Sequence, residues 1–205
     1  MSKSIKTFWN NSHDKKVLSF LSGCQYDETI DFLKLRSYMV PGNHVLEMGA
    51  GLGYVTKGLY ENNLVVSVLD ISETALERVK DYCERVFTTN ELEKLPSDYF
   101  DVIICHNLIQ HIPTDFLIEE LRHCIRSLKA SGVFAMEFVS NDKVEDTWNV
   151  QYKHNSGLPN FCRTPKYLEN IINKLAGECK LMVDNKCDIG ITKGCHVFHI
   201  KRISV

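Results

Sequence analysis

Gly49, Gly51 and Gly53 stand two apart in the stretch "VLEMGAGLGYVT" (residues 45–56), directly after a short apolar run. Glycine inside a strand or helix loses more backbone freedom on folding than any other residue. Three of them at this spacing therefore imply a sharp turn, or a partner that comes very close to the main chain. Asp70 follows the first glycine by about twenty positions, the distance at which an acid reaches ribose hydroxyls in open α/β sheets. Glu47 lies just inside the turn, where a carboxylate opposes a pyrophosphate but suits a cationic amino-acid end. Further on, "HNLIQH" (106–111) carries two histidines, whose ordinary pKa suits proton transfer at neutral pH. Glu137 ends a later apolar run.

The elements that must hold these residues alternate. "DETIDFLKLRSYMV" (27–40) has helical spacing and stops at Pro41-Gly42. "HVLEMG" reads as a strand, "YVTKGLYEN" as a helix, and "LVVSVLD" as a strand ending at Asp70. Ser72 can cap the helix "ETALERVKDYCERV". A short strand around Val86–Thr88, the strand "FDVIICH" and the helix "DFLIEELRHCIRSL" follow, and the turn "KASG" leads into the strand "VFAMEF". Residues 140–163 are polar and too long for a simple connection, so an irregular substrate loop or lid is expected there. Thr164-Pro165 starts a helix that Gly177 should stop. "CKLMVDNK" and "CHVFHIKRI" are close enough to pair antiparallel. The expected fold is α/β: a Rossmann-like, doubly wound sheet of seven strands, mostly parallel, with an antiparallel final strand. Residues 1–205 read as one domain, with residues 1–40 as an N-terminal helical or lid segment.

Composition narrows the function classes. The chain has 205 residues, 44% of them hydrophobic and 24% charged, with a formal net charge of −2. That balance supplies no basic field to recruit nucleic acid or an anionic membrane. Neither a signal-peptide core nor an eighteen-residue apolar run is present, so a soluble, cytoplasmic protein is expected. The eight cysteines include no C-x-x-C pair, and their evenly spaced members Cys179, Cys187 and Cys195 lack a tight pair to complete a zinc site. Buried, reduced thiols are expected, with no metal.

Two cofactor classes use a glycine turn followed by an acid. Dinucleotide binding prefers G-x-G-x-x-G, which would put the third glycine at position 54; that position is Tyr54, and the glycine falls one earlier. The stretch E-x-G-x-G-x-G instead resembles motif I of the class I S-adenosylmethionine-dependent methyltransferases. "VVSVLDIS" resembles their second motif, "NELEKLPSDYFDVIICHNLIQHI" the region of their fourth strand, and "LRHCIRSLKASGVFAMEF" the turn into their fifth, with Ala130-Ser131 in place of the usual Pro-Gly or Pro-Asn. "CRTPKYLENIINKLAG" is similar to the helix before their last two strands, so the resemblance spans about residues 40 to 200.

The resemblance implies S-adenosyl-L-methionine as cofactor. Glu47, Gly49, Gly51 and Gly53 would lie by its methionine part, with Asp70 and Ile71 at the ribose and Glu91 and Leu92 at the adenine. Trp9 is a candidate lid aromatic. His106 starts the loop after the fourth strand, where relatives that methylate amines carry Asn or Asp beside the methyl. His106, His111 and Glu137 are the candidate catalytic residues, with Asn107 beside them. Trp148, Tyr152, His154, Asn155 and Arg163 would suit a polar organic acceptor. The expected acceptor is the oxygen or nitrogen of a small polar or sugar-like metabolite. A protein α-amine is the alternative, although the Trp-rich pocket of such enzymes is absent, and so is a cofactor-binding partner subunit without chemistry.

Overall fold

A computed structural model describes residues 3–14, 25–139, 150–153, 159–179, 181–188 and 195–202. The elements run α1 (Lys3–Asp14), α2 (Tyr26–Phe32), β1 (His44–Met48), α3 (Tyr54–Glu61), β2 (Val65–Asp70), α4 (Glu73–Val79), β3 (Arg85–Thr88) and β4 (Phe100–Cys105). They continue with α5 (Thr114–Ser127), β5 (Leu128–Val139), β6 (Val150–Lys153), β7 (Pro159–Cys162), α6 (Pro165–Cys179), β8 (Leu181–Asp188) and β9 (Cys195–Arg202). Seven strands form one sheet in the order β3-β2-β1-β4-β5-β9-β8. The pairs from β3 to β5 are parallel, and the final strand β9 runs antiparallel to both of its neighbours. The strand order reverses between β1 and β4, which is where an open α/β sheet leaves a crevice at its carboxyl edge.

Both faces of the sheet are covered, and the alternation of each strand assigns its residues to one face or the other. Leu46, Met48, Ile103, Cys105, Phe134 and Met136 pack beneath α5 and α6 with Leu117, Leu121 and Leu168. Val45, Val102, Ile104, Val133 and Ala135 pack on the opposite face with Ile30, Leu59 and Leu76 of α2, α3 and α4. The expected caps form: the Ser72 hydroxyl accepts from Ala75 N at 3.2 Å, and the Thr164 hydroxyl accepts from Tyr167 N at 3.1 Å.

Several boundaries differ from expectation. The helix expected over 27–40 ends at Phe32, where Lys34 turns left-handed at φ 55° before a 3-10 turn over Arg36–Tyr38. The kink buries both Leu33 and Leu35, and Leu33 O meets His199 Nε2 of β9 at 2.7 Å, so tertiary packing overrides the helical period. The helix expected over 73–86 yields at Val79 to a 3-10 turn over Lys80–Tyr82. The "KASG" turn is part of β5, with Ser131 at φ 79° beside a register shift between Phe100 and Val102. Gly177 does not stop α6, which continues to Cys179.

The region expected to be an irregular loop contains an antiparallel hairpin, β6 with β7, which pairs Val150 with Cys162 and Lys153 with Pro159. Trp148, His154 and Asn155 lie outside the described residues. Cys105 and Cys124 are buried free thiols and Cys83 is half-buried. Among the described residues, no helix is long and apolar enough to cross a membrane.

Candidate active site

The turn after β1 explains its glycines. Gly49, Gly51 and Gly53 have φ of 82°, 54° and 84°, in the left-handed region that side chains disfavour. A Cβ on Gly49 would press on Leu108 at 3.1 Å, and one on Gly53 would lie 2.7 Å from Val79 Cγ1. Gly53 caps α3 and seats it against α4; it is not among the residues that line the cleft. Gly51 N–H instead points at Asp70, donating to Oδ2 at 3.4 Å, while Ser72 N–H donates to Asp70 Oδ1 at 2.7 Å. One carboxylate thus ties the end of β2 to the glycine turn. Burial raises the Asp70 carboxyl to about 6 against the lowering effect of these backbone donors. Burial pushes Glu47, at the end of β1, up to about 8, although the Thr56 hydroxyl of α3 donates to its Oε2 at 2.6 Å.

A cleft of two adjoining compartments opens at the carboxyl ends of β1, β2 and β4. The first spans about 810 Å³, counting its solvent-open mouth, and is walled by Glu47, Gly49, Gly51, Asp70, Ile71, His106, Asn107 and neighbouring residues. The second spans about 360 Å³, again counting its solvent-open mouth, and adds Leu69, Thr89, Ile112 and Glu120. Trp9, Gly49, Asp70, Ile71, Leu108 and His111 are walls of both. Nine residues singled out in the sequence therefore meet in one place: Trp9, Glu47, Gly49, Gly51, Asp70, Ile71, His106, Asn107 and His111.

His106 leaves β4 directly after buried Cys105. Its Nδ1 lies 3.4 Å from Thr29 Oγ1 of α2, and its ring centroid lies 5.6 Å from that of Phe32. Burial lowers its pKa to about 4, so the imidazole is neutral at pH 7. The loop that aims it is held from below. Asn107 takes a left-handed φ of 54°, its N–H donates to Glu137 Oε2 at 2.6 Å, and Gln110 Nε2 donates to Asn107 Oδ1 at 2.5 Å. Glu137, a candidate catalytic residue by sequence, is a buried support of that loop and is not among the lining residues. His111 is buried in a 3-10 turn over Ile109–His111 and meets the Trp9 ring of α1 edge-on at 5.1 Å.

Three further positions serve the frame. Arg163, expected near an acceptor, is buried, and its guanidinium donates to Ile109 O at 2.8 Å, to Ile112 O and to the Thr114 hydroxyl. It thereby fastens the His111 turn to the start of α6. Glu91 and Leu92, expected at the adenine, are absent from both compartments. The Glu91 carboxylate accepts from Thr88 N and Oγ1, each at 3.0 Å, and pairs with Lys94 at 2.7 Å, closing the turn after β3; Leu92 joins the core. No motif in the sequence singles out Thr29, Thr56, Leu108, Thr89 or Glu120. Of these, Glu120 carried a usable signal, since it is an acid beside Leu117 and Leu121 on the buried face of α5.

A family model described as a methyltransferase domain matches residues 46–134, from β1 into β5. A ubiquinone biosynthesis O-methyltransferase from Coxiella burnetii is 28% identical over 132 residues, covering 61% of this chain and 53% of that protein. The chain thus spans about half the length of the curated relatives it matches. Among solved structures, the 1,6-didemethyltoxoflavin-N1-methyltransferase of Burkholderia thailandensis, with its namesake ligand and S-adenosylhomocysteine bound, superposes with a TM-score of 0.72 at 14% identity. That match covers 98% of this chain and 88% of the other. An S-adenosylmethionine-dependent methyltransferase from Mesorhizobium loti gives 0.66 at 16% identity, covering 86% and 100%. The sheet order and the glycine turn tied to Asp70 agree with this likeness: residues 46–134 match a methyltransferase domain, and the fold is the one seen in S-adenosylmethionine-dependent methyltransferases of solved structure.

Proposed function

We propose that the cleft binds S-adenosylmethionine and that the chain passes its methyl group to a small organic acceptor, at oxygen in preference to nitrogen. One observation carries this reading: the glycine turn, Asp70 and His106 face a single cleft at the sheet's switch point. The residues fit the cofactor, because the turn presents backbone without Cβ atoms and Asp70 stands where a ribose diol needs an acceptor. The choice of oxygen rests on the relatives named as ubiquinone biosynthesis O-methyltransferases.

The bound sulfonium supplies an electrophilic methyl for in-line displacement. The chain's own residues then have three tasks. Asp70 accepts from the ribose hydroxyls while keeping the glycine turn closed. Glu47, poised near neutrality by burial, ionises beside the cationic amino-acid end. His106, uncharged, adds no positive charge next to a sulfonium; it accepts a hydrogen bond from the acceptor hydroxyl and takes its proton as the oxygen–methyl bond forms. Trp9 and His111 close the wall.

The test has two stages. Thermal unfolding with S-adenosylmethionine, S-adenosylhomocysteine and NAD should show stabilisation by the first two, because a ligand of the native state raises the midpoint by mass action. Mass spectrometry after incubation with phenols, catechols, heteroaromatic amines and sugars should then find one methylated class. Stabilisation by NAD but not by the sulfonium would overturn the reading.

A further inference from the structure

Glu120 is a wall of the second compartment that the proposed function leaves unused. It sits on α5 beside Leu117, Leu121 and Cys124, all core residues, and is only 3% exposed. A leucine would continue that apolar face without the desolvation that a buried carboxyl suffers. The side chain instead reaches a cavity whose other added walls are Leu69, Thr89 and Ile112.

The layout of the cleft indicates which part of a ligand comes there. Asp70 is common to both compartments, so a ribose bound to it lies at their junction. The glycine turn's Gly51, His106 and Asn107 belong to the first compartment alone, which leaves the second for the base. Ile71, Leu108 and Ile112 offer apolar surface to a flat ring, and Thr89 and Glu120 offer polar contacts to its edge. We propose, building on the function above, that Glu120 is a specificity-determining residue that hydrogen-bonds the amino edge of the cofactor's adenine.

Burial pushes the Glu120 carboxyl up to about 8, with the nearby Asp70 charge adding to the effect. At neutral pH the group therefore presents an O–H donor beside a C=O acceptor. Adenine offers the complement, a ring nitrogen that accepts beside an amino group that donates. A glutamine at this position keeps both functions; a methionine keeps only the bulk.

Calorimetric titration with S-adenosylhomocysteine, and with its analogue carrying unsubstituted purine, tests the assignment. Wild type should prefer the adenine ligand at least tenfold. Glu120→Met should lose that preference by weakening the adenine ligand alone, and Glu120→Gln should stay within about threefold of wild type. A methionine variant with undiminished preference overturns the proposal, and a glutamine variant as weak as the methionine one overturns the pairing through a neutral acid. Should the methionine variant fail to fold, equal binding of the two ligands by wild type overturns it instead. A wild type that binds neither ligand overturns the proposed function, so the two failures are separable.

Discussion

His106 owes its neutrality to burial, the cause that lowers its pKa to about 4. A base this weak cannot take a proton from a resting hydroxyl, but the acceptor's proton becomes acidic as the oxygen gains a methyl. His106→Ala should therefore lower kcat by roughly 10²–10⁴-fold while leaving the affinity for S-adenosylhomocysteine near wild type. Normal turnover in a folded variant would remove His106 from the chemistry. Asp70 has two duties, since it accepts from Gly51 N and Ser72 N as well as facing the cleft. Asp70→Asn keeps one oxygen as an acceptor and should weaken cofactor binding by about tenfold or more. Asp70→Ala should in addition destabilise the fold by about 1–3 kcal/mol, because buried N–H donors lose their partner. Equal melting temperatures for the two variants would contradict the second duty.

At the scale of elements, the contact between α2 and α3 determines where His106 sits. Gly58 of α3 lies against Tyr26 of α2 so closely that an added Cβ would fall 2.2 Å from Tyr26 Cβ. Since α2 also carries Thr29 and Phe32, which both approach His106, moving it disturbs the site without touching a cleft residue. Gly58→Ala gains about 1 kcal/mol of helix propensity against an overpacking cost of roughly 1–3 kcal/mol. The net expectation is a melting temperature lower by a few degrees with a reduced kcat. An unchanged kcat would show that α2 does not position His106. Such a contact is invisible in one dimension, because "YVTKGLYEN" reads as an ordinary helix. The β1-turn-α3 unit, by contrast, was legible, because a left-handed turn leaves glycines at fixed intervals and a strand leaves a run of apolar residues. Loop acids were not legible. Glu91, Glu137 and Glu120 look alike in sequence, yet one closes a turn, one supports a loop and one lines the cleft. Spacing does not say which way a side chain points. Helix ends failed for a related reason, since Lys34 follows the packing of Leu33 and Leu35 around it more than its own preference.

For the whole molecule, two apolar layers enclose a sheet whose carboxyl edge buries several titratable groups, and this makes its stability depend on pH. Glu47 and Glu120 titrate near 8 when folded and Asp70 near 6, against roughly 4 for each in an unfolded chain. The folded state thus binds more protons across that interval, and stability falls as pH rises through it. His106 works in the opposite direction: its folded pKa of about 4 lies below the ordinary 6.5, so it contributes stability that grows as pH rises from 4 to 6.5 and is constant above. Burial also raises the Cys83, Cys105 and Cys124 thiols, but these act only above the ordinary thiol range. Between pH 6.5 and 8 the two glutamates therefore dominate this group, and the ligand-free protein should lose several degrees of melting temperature. Glu120→Gln has no proton to lose and should remove about half of that slope while leaving the direction unchanged. A midpoint that is flat or rising between pH 6.5 and 8 in wild type would mean that these carboxyls are solvated in solution, and the neutral state assigned to both glutamates would fall with it.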